Sequence, residues 1–157
     1  MSLQNFSNVL QDFQNVFRQY AEPPYPDAGV LLTRKFYQID EWNSDKYARL
    51  GRLYDYHVDL VEDLMLELTR ATNFVCDEVR ATLLSSFRIK EGRISIVSGP
   101  SMGSGPHRGL MWEEMVVQYD VTERATTPPY PGLPEFLTVR ATRDIHYGRG
   151  ERPNWEN

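Results

Sequence analysis

Apolar residues recur at helical spacing from the start of the chain. Leu3, Phe6, Leu10, Phe13, Phe17 and Tyr20 follow one another at steps of 3, 4, 3, 4 and 3, and Val9 and Val16 widen the stripe. This period predicts an amphipathic helix with Ser2 at its N-cap and Pro23-Pro24 as its stop. A longer stripe fills the middle of the chain: Leu50, Leu53, His57, Leu60, Leu64, Leu68, Ala71, Val75, Val79 and Leu83. Between residues 45 and 87 there is no proline and a single glycine, Gly51. The spacing predicts a helix of about 40 residues, continuous or kinked, with 69–73 as its weakest stretch and Ser44 or Asp45 as its cap. At 1.5 Å per residue it would run about 60 Å, more than the width of a small domain. Part of it is therefore expected to find cover on the first helix or on a partner chain.

Alternating and β-branched patterns predict strands at residues 30–39, 93–98, 112–121 and 136–145. No crossover helix separates the last three, so they should pair antiparallel. The expected fold class is α+β: an N-terminal helix and one very long central helix packed on a small, mainly antiparallel sheet of about four strands. One domain is expected over residues 1–147, followed by a polar tail at 148–157. The tetrapeptide Pro-Pro-Tyr-Pro occurs twice, at 23–26 and 128–131, each time leading into a predicted strand. Such clusters rigidify a turn or dock in a partner's groove.

Composition narrows the class. The chain has 157 residues, 41% hydrophobic and 25% charged, which suits a folded domain of ordinary size. Its one cysteine, Cys76, excludes an intrachain disulfide and suits a reducing compartment, so a cytoplasmic location is expected. No apolar run reaches the ~18 residues that span a bilayer, so no membrane contact is expected. The net charge of −5 argues against nucleic-acid binding by a basic surface. The charge is uneven: residues 1–79 hold 7 basic and 13 acidic side chains, residues 80–157 hold 10 and 9.

Four groups of residues could carry chemistry. The loop at 99–109, Gly-Pro-Ser-Met-Gly-Ser-Gly-Pro-His-Arg-Gly, combines glycines with His107 and Arg108 and no acid; its backbone N–H groups suit an anion. It lacks the lysine and following helix of a P-loop. A basic edge on the last predicted strand and the tail adds Arg140, Arg143, His146, Arg149 and Arg152. If loop and edge converge, they would hold a phosphate-bearing ligand or nucleotide. Asp55, Asp59, Glu62, Asp63 and Glu67 lie at helical spacing and are expected to form a solvated acidic face, with no metal site and no cofactor. Arg52, four residues and His57 resemble the short RNase motif of HEPN domains; the resemblance implies that Arg52 and His57 assist RNA cleavage across a helical dimer. It covers six residues, HEPN domains are all-helical, and His57 sits on the apolar stripe.

No catalytic set stands out, and no hydrolase motif is present. The leading expectation is a non-enzymatic protein-interaction or assembly module that associates with itself through the long helix, or with another protein. A sensing domain for a small anionic ligand, using His107, Arg108, Arg140, Arg143 and His146, comes second. A HEPN-like RNase comes third.

Overall fold

The computed structural model describes residues 1–102, 110–126 and 128–140. The chain is α+β. Its elements are α1 (Ser2–Arg18), β1 (Ala21–Glu22), β2 (Leu32–Thr33), α2 (Ser44–Thr82), β3 (Ser95–Met102), β4 (Leu110–Val116), α3 (Val121–Ala125) and α4 (Leu133–Val139). Among the described residues, the four strands form two separate antiparallel pairs, β1 with β2 and β3 with β4, rather than one sheet.

Helix α2 is continuous over 39 residues. Asn43 caps it, its Oδ1 accepting from the Lys46 backbone N–H at 2.8 Å. The weak stretch at 69–73 does not break it. Thr72 donates its hydroxyl to the Leu68 carbonyl at 2.7 Å, sharing the acceptor of its own helix bond, whereas the Asn73 amide finds its partners on other elements and does not compete for the helix's bonds.

Two predicted strands differ from what forms. Of residues 30–39, only Leu32–Thr33 pairs. Of the strand expected at 136–145, residues 136–139 lie instead in helix α4, which occupies Leu133–Val139 and has Pro134 in its first turn, and residues 141–145 lie outside the described residues. Seven residues are too few for alternation to separate strand from helix, and proline favours a helix start. Phe136 and Arg140 are buried four residues apart, a helical spacing. Gly132 at the N-cap has φ 93°, a conformation that disfavours any side chain. The missing cap is supplied by Asp12 of α1, whose carboxylate accepts from the Leu133 N–H at 3.1 Å. The predicted tail at 148–157 lies outside the described residues.

The chain divides into two compact units. One consists of Met1–Ser7 and Leu66–Tyr130; the other consists of Asn8–Met65 and the described residues from 131 on. In the first unit, Leu66, Ala71, Phe74, Cys76, Val117, Tyr119 and Tyr130 are buried. Polar groups are built into this core. Asn5 donates to the Tyr119 hydroxyl and accepts from the Tyr130 N–H. Arg70 pairs with Glu67 and Glu123 and lies over the Tyr119 ring. Asp77 takes Arg80 at 3.1 Å and Arg124 at 2.8 Å. Arg80 also donates to the Phe87 and Gly92 carbonyls, tying down the segment that follows α2.

In the second unit, Val9, Val16, Leu60, Leu64 and Phe136 are buried. A chain of ring contacts runs through it: Trp42 on Tyr47, Tyr47 on Tyr37, Tyr37 on Tyr54, Tyr54 on Phe36, Phe36 on Tyr20 and Tyr20 on His57.

Candidate functional site

Strands β3 and β4 pair Ser95 with Val116, Ile96 with Met115 and Val97 with Glu114. Opposed residues of an antiparallel pair share a face and alternate residues switch faces. One face therefore carries Ser95, Val97, Leu110, Trp112, Glu114 and Val116. The other carries Ile96, Met111, Glu113 and Met115. An extra residue in β3 between Ser98 and Ser101, where Gly99 and Pro100 lie, shifts the register without disturbing β4.

The two faces meet different surroundings. Ile96 and Met115 are half-buried and Val117, next in the alternation, is fully buried, while Met111 on the same face is 52% exposed. On the first face, Val97 is 59% exposed, Leu110 67%, Trp112 62% and Val116 52%. Four large apolar side chains thus stand in solvent on one side of a two-stranded hairpin. Glu114 sits among them. Its Oε1 accepts from the Ser95 hydroxyl at 2.5 Å, and no Lys or Arg among the described residues pairs with it or with Glu113.

An isolated two-stranded hairpin is marginal in water. Here Asn73 of α2 secures its base. The Asn73 amide donates to the Ile94 and Val117 carbonyls, each at 2.9 Å, while its Oδ1 accepts from the Ile94 N–H at 2.9 Å. One side chain thereby satisfies backbone groups at the open end of both strands. Past β4, the turn into α3 is fixed by a capping box between Asp120 and Glu123. The hairpin is anchored at its root and bare on one face.

The predicted site residues are distributed as follows. His57 is 4% exposed, packs edge-on against Tyr20 at 4.8 Å, and its Nε2 has no hydrogen-bond partner among the described residues. Burial lowers its pKa, which favours the neutral ring. Arg52 is exposed. Five residues at about 100° each place the two side chains some 140° apart around α2, so the helix does not bring Arg52 and His57 together. Arg140 does not stand on an exposed basic edge. It is 1% exposed at the end of α4, with Nε bonded to Asp63 Oδ2 at 2.6 Å and its guanidinium over the Tyr56 ring. His107, Arg108, Arg143 and His146 lie outside the described residues.

The expectation of one solvated acidic face needs correction. Asp63 and Glu67 are buried, because each has an arginine partner that removes the cost of an uncompensated charge: Arg140 for Asp63 and Arg70 for Glu67. Asp55 is exposed, and Asp59 and Glu62 are half-buried. Burial, with Asp59 and Asp63 nearby, pushes the Glu62 carboxyl upward. Tyr119 is likewise pushed well above the usual phenol range by burial and by Glu67. Among the described residues, no three His, Cys, Asp or Glu side chains gather in a way that could hold a metal ion. No helix among them is long and apolar enough to cross a membrane.

Helix α2 keeps little apolar surface for a partner. Tyr47 and Met65 are its only large apolar side chains with more than a third of their surface in solvent, at 38% and 39%. The exposed hairpin face was not foreseeable from the sequence, because Met111 and Met115 alternate with Leu110, Trp112 and Val116 and place apolar residues on both faces of β4. The chain matches no protein-family model, no curated protein and no solved structure.

Proposed function

We propose that this protein is a non-enzymatic interaction module that binds another protein through the exposed face of the β3–β4 hairpin. The observation that carries this reading is the bare face itself: Val97, Leu110, Trp112 and Val116 lie together in solvent on an element anchored by Asn73. Fully burying a large apolar side chain contributes about 1.5–3 kcal/mol, so a partner covering this face gains substantially. Exposed contiguous apolar surface on a defined element marks an interaction site more often than chance exposure does. Association through the long helix is less well supported, because α2 leaves little apolar surface open. A cytoplasmic setting, suggested by the single cysteine, belongs to the same proposal.

The test compares affinity capture by the wild-type chain and by Trp112→Ser from the cells in which the protein is native. A specific partner retained by wild type and lost by a folded Trp112→Ser chain is the expected result. An identical set of captured proteins would overturn the assignment of this face.

A further inference from the structure

The charge at the centre of the hairpin face indicates what kind of surface covers it. We infer that the partner presents an apolar patch with one cationic side chain, best an arginine, seated on Glu114. The inference rests on the interaction reading above and specifies its partner.

Glu114 shares its face with Val97, Leu110, Trp112 and Val116. Any protein that covers these four side chains takes the Glu114 carboxylate out of water with them. An ionised carboxylate left without a partner in an apolar contact is strongly unfavourable. Ser95 supplies one hydrogen bond, and a carboxylate accepts about four. The remaining capacity suits a guanidinium, whose paired N–H groups match a carboxylate and whose flat surface tolerates an apolar surround.

The same charge argues against a second copy of this chain as the occupant. Two such faces brought together about a twofold axis each contribute one Glu114 and no described base to answer it. The contact would bury two like charges, and like charges in a shared site oppose each other. The opposite face offers a control. Glu113 is equally unpaired among the described residues, but alternation places it away from Val97, Leu110, Trp112 and Val116.

A random-peptide phage library selected separately on wild-type protein and on Glu114→Lys tests the inference. Wild type should enrich apolar sequences with a central Arg or Lys, and Glu114→Lys should enrich apolar sequences with Asp or Glu instead. A synthetic peptide of the wild-type consensus should bind Glu114→Gln about tenfold more weakly, as loss of a charge-assisted pair implies. It should bind Glu113→Gln within about twofold of wild type, and Trp112→Ser not measurably. Circular dichroism checks that each variant is folded. Enriched peptides that need Trp112 but carry no basic residue, or that lose equally to Glu113→Gln and Glu114→Gln, would overturn the inference and leave the interaction reading standing. No enrichment at all, or enrichment indifferent to Trp112→Ser, would overturn both. Light scattering completes the test: a dimer abolished by Trp112→Ser would show that a second copy covers this face.

Discussion

Single polar side chains decide how this chain is held together, and Asn73 is the clearest case. It is 1% exposed and makes three hydrogen bonds to backbone groups of Ile94 and Val117. Asn73→Ala removes all three, and each buried group left unsatisfied costs about 1–3 kcal/mol. We expect a loss of about 2–4 kcal/mol, read from the urea midpoint. Asn73→Asp should not rescue it, because a carboxylate keeps the Ile94 N–H bond but faces two carbonyls it cannot donate to. His57 makes a different prediction. Burial disfavours its charged form, so the folded pKa lies below the unfolded value of about 6.5. The unfolded chain binds more protons below that value, so the His57 contribution is intact above about pH 6.5 and drains away as pH falls towards the folded pKa. Thermal unfolding at pH 7.5 and pH 5 should show a larger drop for wild type than for His57→Phe. Equal drops would mean that the ring is protonated in place. Glu62, raised by its surroundings, titrates in both proteins and cancels in the comparison. At this scale the sequence was partly legible. His57 on the apolar stripe already pointed to a core ring. Arg140 did not reveal itself, because its partner Asp63 lies 77 residues away and nothing local links them.

Elements were legible where periodicity ran long. Ten apolar-stripe positions from Leu50 to Leu83 fixed α2, and α1 followed from the same logic over 17 residues. Short segments were not, because a few residues of alternation fit both states. FLTV at 136–139 was read as strand and lies in α4, where Pro134, Gly132 and the Asp12 cap decide the outcome. The 69–73 stretch was weak by propensity, yet it stays within α2, with the Asn73 side chain engaged by Ile94 and Val117 instead of by the helix backbone. Continuity of α2 has a direct consequence at Gly51. A Cβ built there meets nothing within 4 Å, and the residue lies inside the helix. Gly51→Ala should therefore stabilise the protein by about 0.5–1 kcal/mol, the usual difference in a helix interior. Chemical denaturation checks this. A loss of stability would mean that residue 51 is not in regular helix or that its surroundings are tighter than they look.

For the molecule as a whole, the question is why an apolar face remains in solvent. Sequence alone suggested one sheet of about four strands, with Trp112 and Val116 in the strand at 112–121 and Leu110 just before it. Among the described residues the strands instead form two separate pairs, and Val97, Leu110, Trp112 and Val116 on one face of β3–β4 stay more than half exposed. No local pattern distinguishes these outcomes, since a strand with one apolar face looks the same whether its cover is its own chain or another. Stability and association should therefore separate at this face. Side chains 62–67% exposed in the folded state lose little on truncation, and substitutions at exposed positions usually fall within about 0.5 kcal/mol. Leu110→Ser/Trp112→Ser should leave the thermal midpoint nearly unchanged. It should also reduce binding of a dye that reports exposed apolar surface, and lower the tendency to associate at high concentration. A core role predicts the opposite, a loss of several kcal/mol from two large side chains removed. Finding that loss would show these residues to be packed inside the fold, and the bare face on which the interaction reading depends would not exist. An unchanged midpoint with reduced dye binding would leave the face as surface that folding does not need, which is the property expected of a site kept for a partner.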